Sequence, residues 1–177
     1  MNKFSKLFGK LNVSTGGLRG EKELSPTQIN DAVDYAVSLN MPRTRIKYSN
    51  TFNVSYGEIF DVLYLGTDTY PVENAEQSEK QIKQTKQTKG TTGANSRISW
   101  KGSVAHEIVG HREAKLKGLT QKNYLLEEVQ ASIRAARFAP GLSDIERITL
   151  LRDAVYRLHK NNIKVNDVKH LLNIKER

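Results

Sequence analysis

Two histidines stand five residues apart just past the middle of this chain, and a glutamate directly follows the first: His106-Glu107-Ile108-Val109-Gly110-His111. A His-Glu pair with a second His one helical turn later lets a helix present two imidazoles to one metal ion, with the Glu beside them as a base. The usual spacing is H-E-x-x-H; this chain reads H-E-x-x-x-H. Five residues of a regular α-helix rotate the second side chain by about 500°, which leaves it about 140° from the first. Two imidazoles so placed do not share an ion. A single π-bulge absorbs the extra residue and returns both to one face, and Gly110, directly before the second His, eases the distortion. The spacing therefore predicts a helix over 102–117 with one widened turn.

A catalytic zinc takes three protein ligands in a tetrahedral arrangement and leaves the fourth position to water. His106 and His111 supply two. The third is expected to be a carboxylate or histidine further along, and Leu125-Leu126-Glu127-Glu128-Val129-Gln130-Ala131-Ser132 offers one on the next predicted helix. The chain contains no cysteine, so disulfides and thiolate metal sites are excluded and any Zn2+ rests on histidine and carboxylate.

His106-Glu107-Ile108-Val109-Gly110-His111 followed by Glu127-Glu128-Val129-Gln130-Ala131 resembles the paired signature of the dipeptidyl peptidase III family of zinc peptidases, H-E-L-L-G-H and then E-E-C-R-A-E. The resemblance implies that His106, His111 and Glu128 are metal ligands, Glu107 the general base, and Glu127 a carboxylate that orients a ligand histidine. The likeness is local. The family's final Glu stands here as Ser132, and the family enzymes are several times longer, so the metal site carries over and the dipeptidase specificity does not. The compact basic chain, with Gly-rich punctuation near its start, also resembles the C-terminal toxin domain of a bacterial polymorphic (RHS-type) effector. That likeness implies delivery into a target cell as part of a larger protein, and an acidic immunity protein as a partner.

The chain has 177 residues, enough for one domain with a real core. The expected division is a leader or linker over 1–24 and a single domain over 25–177. No apolar run is long enough to span a bilayer and no continuous signal region is visible, which predicts a soluble chain. A net charge of +9 makes nucleic acid, acidic proteins and anionic membranes candidate partners. The basic residues are scattered, many beside acidic ones on predicted helices, which fits a solvated surface.

Ser25-Pro26-Thr27-Gln28 opens a helix that Ile29, Ala32, Val33, Ala36, Val37 and Leu39 carry to about Asn40. Residues 44–48 alternate as a strand, 49–57 read as a turn-rich connection, and Glu58–Leu65 is the best strand in the chain. Residues 73–94, rich in Gln, Lys, Thr and Gly, predict a mobile loop: a lid or an inert surface segment. Residues 96–100 form either an ordinary hairpin strand or an edge that binds extended substrate. Helices follow over 121–138, from Ser143 to about 160 behind a capping box, and over 165–172. Small residues at Ala131, Ser132, Ala135 and Ala136 would let another helix approach closely. The expected fold is α+β, a sheet of about three strands against four or five helices, with a zincin-like metal site shared by two helices.

Other polar residues have two uses each. Arg134 and Arg137 are placed to clamp a substrate carboxylate or oxyanion, or to pair with Glu127. Tyr48, Tyr56, Tyr64 and Tyr70 are core residues or transition-state donors. His159 and His170 are surface histidines, unless the helix of His159 faces the site. Three function classes follow: a zinc metallopeptidase acting on protein or peptide, a metal-dependent nuclease suggested by the charge, and a binding module with a structural metal or none.

Overall fold

A computed structural model describes residues 23–50, 53–70 and 98–177. The expected leader lies almost wholly outside the described residues, and the expected loop over 73–94 lies wholly outside them. Helix α1 (Pro26–Ser38) starts as the sequence predicts: the Ser25 hydroxyl accepts from the Gln28 N–H at 3.2 Å, and the Gln28 side chain accepts from the Ser25 N–H at 2.9 Å. It ends where Asn40 turns to a φ of 65°.

Strand β1 (Ile46–Tyr48) follows a 3-10 turn (Arg43–Arg45). Strands β2 (Ser55–Gly57) and β3 (Val62–Leu65) complete a mixed sheet of order β1-β3-β2, with β1 parallel and β2 antiparallel to the central strand. Three expectations are corrected here. The strand over 44–48 begins only at Ile46, the connection over 49–57 holds β2, and the strand over Glu58–Leu65 is confined to its second half.

The cause of the shortened strand is Asp61, which sits at a φ of 50° in the turn between β2 and β3. Its carboxylate accepts from Arg112 Nε at 2.6 Å and Nη2 at 3.0 Å, from the Tyr56 hydroxyl at 2.9 Å, and from Arg45. Those bonds outweigh the strand pattern and leave Ile59 and Phe60 exposed at the tip of the hairpin.

The Arg112 hydrogen bonds, helped by Tyr56 and Arg45 and opposed by burial, hold the Asp61 carboxyl down from 3.8 to about 2. A depressed carboxylate contributes stability that is present above its unfolded pKa and lost as pH falls through the folded one. The parent chain should therefore lose stability between about pH 4 and pH 2 that Asp61→Asn has already lost at neutral pH. Denaturant titrations at neutral and acid pH check this, and a gap between the two that does not narrow in acid would exclude it.

Helix α2 is one continuous helix of three parts: Trp100–Ala105 in α geometry, His106–Arg112 in π geometry, and Glu113–Leu116 in α geometry again. The Ser99 hydroxyl caps it by accepting from the Gly102 N–H at 3.0 Å. That cap overrides the strand expected to run to residue 100, since Trp100 is already helical; residues 96 and 97 lie outside the described residues. Helix α3 (Tyr124–Phe138) is capped by Asn123, and α4 (Asp144–Lys160) carries the Ser143/Glu146 capping box. The last helix, α5 (Val165–Val168), is shorter than expected.

Leu63 and Leu65 of the sheet, Val104 and Ile108 of α2, and Leu150 of α4 form the main core. A smaller one joins Val129 of α3 to Ala154 and Leu158 of α4 and to Leu172. The fold is thus the expected small α+β arrangement, with the π segment of α2 held between the sheet and α3. No helix among the described residues is long and apolar enough to cross a membrane.

Candidate metal centre

The widened turn lies where the spacing demands it. The Glu113 N–H donates to the Ile108 carbonyl, five residues back, and the π segment carries His106 at its start and His111 near its end. Their Nε2 atoms stand 3.1 Å apart. Glu128 reaches them from α3, with Oε2 3.4 Å from His106 Nε2 and Oε1 3.4 Å from His111 Nε2. These three residues form a group that could hold a metal ion.

The separations fit one small cation. Ligands about 2.0–2.2 Å from a tetrahedral centre lie about 3.3–3.6 Å from one another. Lone-pair atoms this close repel unless a proton or cation sits among them. Two imidazoles with one carboxylate suit zinc and its transition-metal neighbours, whereas calcium and magnesium take oxygen.

The charge of Glu128 is well supported. Burial pushes its pKa up, but contacts from His106, His111 and Arg157 outweigh that and hold it well below the usual carboxylate range. Arg157 Nη1 lies 3.1 Å from Glu128 Oε2. Glu127, on the same turn, places Oε1 3.7 Å from His111 Nδ1, on the side of the ring away from the cluster.

Glu107 lines the same cavity, of about 510 Å³. Its Oε2 accepts the Tyr56 backbone N–H of β2 at 2.8 Å. Burial raises its pKa to about 7; His111 and the Tyr56 N–H pull it down and Glu128 pushes it further up. A carboxylate poised there is suited to exchange protons near neutrality.

Among the described residues, one wall of the cavity is β2, at one edge of the sheet, rather than the segment over 96–100 expected to offer an edge. The Val54 and Tyr56 N–H groups that flank Ser55 are already given to Asp68 Oδ1 at 2.5 Å and to Glu107. Tyr124 and Arg157 also line the cavity.

All five residues predicted for the site, His106, Glu107, His111, Glu127 and Glu128, line this one cavity. The predicted arginine clamps lie elsewhere. Arg134 is buried and donates from Nη1 to the Asn173 and Glu176 carbonyls, at 3.1 and 3.0 Å, and Arg137 packs on Phe138. His159 and His170 are exposed and outside the cavity. Of the tyrosines singled out, Tyr56 lines the cavity, while Tyr48 binds the Leu24 N–H and Tyr70 the Gln28 carbonyl.

Sequence reasoning missed Tyr124, Arg157, Ser132 and Asp153. Tyr124 precedes Glu128 by one helical turn and so shares its face. Asp153 interrupts the apolar stripe of α4 and is only 1% exposed, and its i, i+4 partner is Arg157. A buried acid in an apolar stripe was the available signal.

Compared with known protein families, with curated proteins and with solved structures, the chain matches none.

Proposed function

We propose that this chain is a zinc-dependent peptidase. The convergence of His106, His111 and Glu128, with Glu107 in the same cavity, carries the proposal. His106, His111 and Glu128 would hold the zinc ion, which when bound would supply a water of lowered pKa, about 7, and polarise a carbonyl. Glu107 takes a proton from the attacking water as its oxygen adds to the peptide carbon, then delivers that proton to the leaving amine nitrogen. The Tyr56 N–H holds Glu107 in place for both transfers. The likeness of the two motifs to dipeptidyl peptidase III supports this chemistry. The effector-like composition supports the further reading that the peptidase is a bacterial toxin domain restrained by an acidic immunity protein.

The positive charge of the chain favours a nuclease less than it first suggests. Among the described residues, the cavity is lined by five carboxylates, those of Glu58, Asp68, Glu107, Glu127 and Glu128, and by the guanidinium of Arg157. A polyanion gains little from that lining. A purely structural metal is disfavoured because, among the described residues, the three ligands face a cavity of about 510 Å³.

The test is metal content by mass spectrometry on the full chain and on His106→Ala, His111→Ala, with hydrolysis assays on unfolded protein, plasmid and RNA. One zinc per chain, lost in the variant together with protein cleavage, is the expected result. A chain that takes no zinc when it is offered, or that cuts nucleic acid and spares protein, would overturn the proposal.

A further inference from the structure

Helix α4 supplies none of the three ligands, yet two of its side chains hold two of them. Ser132 Oγ donates to Asp153 Oδ2 at 2.7 Å and stands 3.1 Å from His106 Nδ1. Arg157 Nε donates to the same Asp153 oxygen at 2.8 Å, and its Nη1 reaches Glu128. Ser132 and Asp153 are 0% and 1% exposed, so water does not compete for these bonds.

Donor counting fixes the direction of the relay. A carboxylate only accepts, and Asp153 accepts from both Ser132 and Arg157. A serine hydroxyl has one proton, and here it goes to Asp153. Ser132 Oγ can therefore only accept from His106, which places the imidazole proton on Nδ1 and leaves Nε2 with a bare lone pair. Nε2 is the atom that faces His111 and Glu128.

We propose that Asp153, acting through Ser132, is a positioning residue that fixes the tautomer and ring orientation of His106, and so sets the affinity of the cluster for zinc. Glu127 Oε1 stands 3.7 Å from His111 Nδ1, too far for a hydrogen bond. The His106 ring alone thus has an acceptor bonded behind it, the arrangement that fixes a metal-binding histidine. Arg157 ties the support of His106 to the third ligand, since it bonds both Asp153 and Glu128. The inference deepens the zinc reading above and rests on it.

The experiment uses the metal-free full chain, labelled with 15N, at about pH 8, above the ordinary histidine range. Long-range 1H–15N spectra report the tautomer of His106, and zinc titration against a competing chelator reports affinity. The parent chain should show His106 protonated at Nδ1. Ser132→Ala should move the proton toward Nε2 and weaken zinc binding about 10–100-fold, whereas Ser132→Thr, which keeps a hydroxyl, should preserve both. Asp153→Asn should weaken zinc binding too, and Ser132→Ala, Asp153→Asn should bind no more weakly than the worse single variant, because both act through one relay.

A parent chain with His106 protonated at Nε2 overturns the inference even if every variant fails to fold. So does a folded Ser132→Ala with the parent's tautomer and affinity. A parent chain with the expected tautomer that binds no zinc removes the peptidase reading and the relay's role in zinc affinity, and leaves only its hold on the His106 ring. One that binds zinc with the other tautomer removes the relay alone.

Discussion

Glu107→Gln is expected to fold, to bind one zinc, and to lose peptide hydrolysis by about 10²–10⁴-fold, the range a positioned general base contributes. The glutamine side chain has the shape of the glutamate, and its carbonyl oxygen can accept the Tyr56 N–H as Glu107 Oε2 does. What it cannot do is take a proton. The proposed ligands His106, His111 and Glu128 are untouched, so zinc binding should remain.

Stability gives an independent check on the same variant. Burial raises Glu107 from 4.5 to about 7, so its charged form is disfavoured by the fold. Between these two values the unfolded chain gives up its proton first, and the parent loses stability as pH rises through that window. A neutral glutamine does not, so the metal-free variant should melt at or above the parent at about pH 8. An inactive variant that melts lower and loses zinc would make Glu107 a structural residue. Full activity in a folded, zinc-loaded variant would remove Glu107 from the chemistry.

The pH profile of the parent should follow from the same carboxylate. Glu107 must be ionised to accept a proton, so activity should fall on the acid side as it protonates. A zinc ion bound beside it would favour the ionised form and move that limb below the metal-free value of about 7.

The site was legible to the extent that its chemistry is local. His106, Glu107 and His111 lie on one helix, and a five-residue spacing leaves a helix little choice but the π turn that appears. Ser25 and Ser143 start their helices with side-chain bonds three residues long, which a sequence displays directly. The supports of the ligands were not legible because they are tertiary. Asp153 is 21 residues from Ser132, and nothing in either segment says that the two face each other. The resemblance has Glu where this chain has Ser132, so the sequence shows no carboxylate at that position. The neighbouring helix supplies the carboxylate instead, through the hydroxyl.

The strands failed for a related reason. Glu58–Leu65 has a sound strand pattern, but Asp61 is claimed by Arg112 on α2, 51 residues away, and the chain turns there. Such ion pairs leave no periodic mark in a sequence. Arg134 misled in the opposite sense: it is on the site-bearing helix, but it faces the C-terminal segment, where it is fully buried.

Gly110→Ala should damage the fold and the metal site together. The sequence suggests that Gly110 is there to ease the π turn; the structure supplies a stronger reason. A Cβ at Gly110 would stand 2.7 Å from both the Ala131 Cβ and the Ala131 carbonyl oxygen, and 2.8 Å from the Ala131 Cα. Two of these three atoms are backbone, so no side chain can swing aside, and α2 and α3 must separate or shift. Overpacking of this kind costs about 1–3 kcal/mol, or a fall in Tm of about 2–4 °C for each kcal/mol in a chain of this size. His106 and His111 flank the crossing on α2 and Glu128 lies just before it on α3, so the same separation pulls the third ligand from the other two. Since about 1.4 kcal/mol is a factor of ten, zinc binding should weaken by about tenfold or more. Ala131→Gly, added to Gly110→Ala, should restore only part of both losses, because it removes the Cβ contact and leaves the backbone contacts. Melting curves and chelator competition on the three chains decide it. A Gly110→Ala chain that melts with the parent and holds zinc as tightly would show that the two helices do not depend on this crossing.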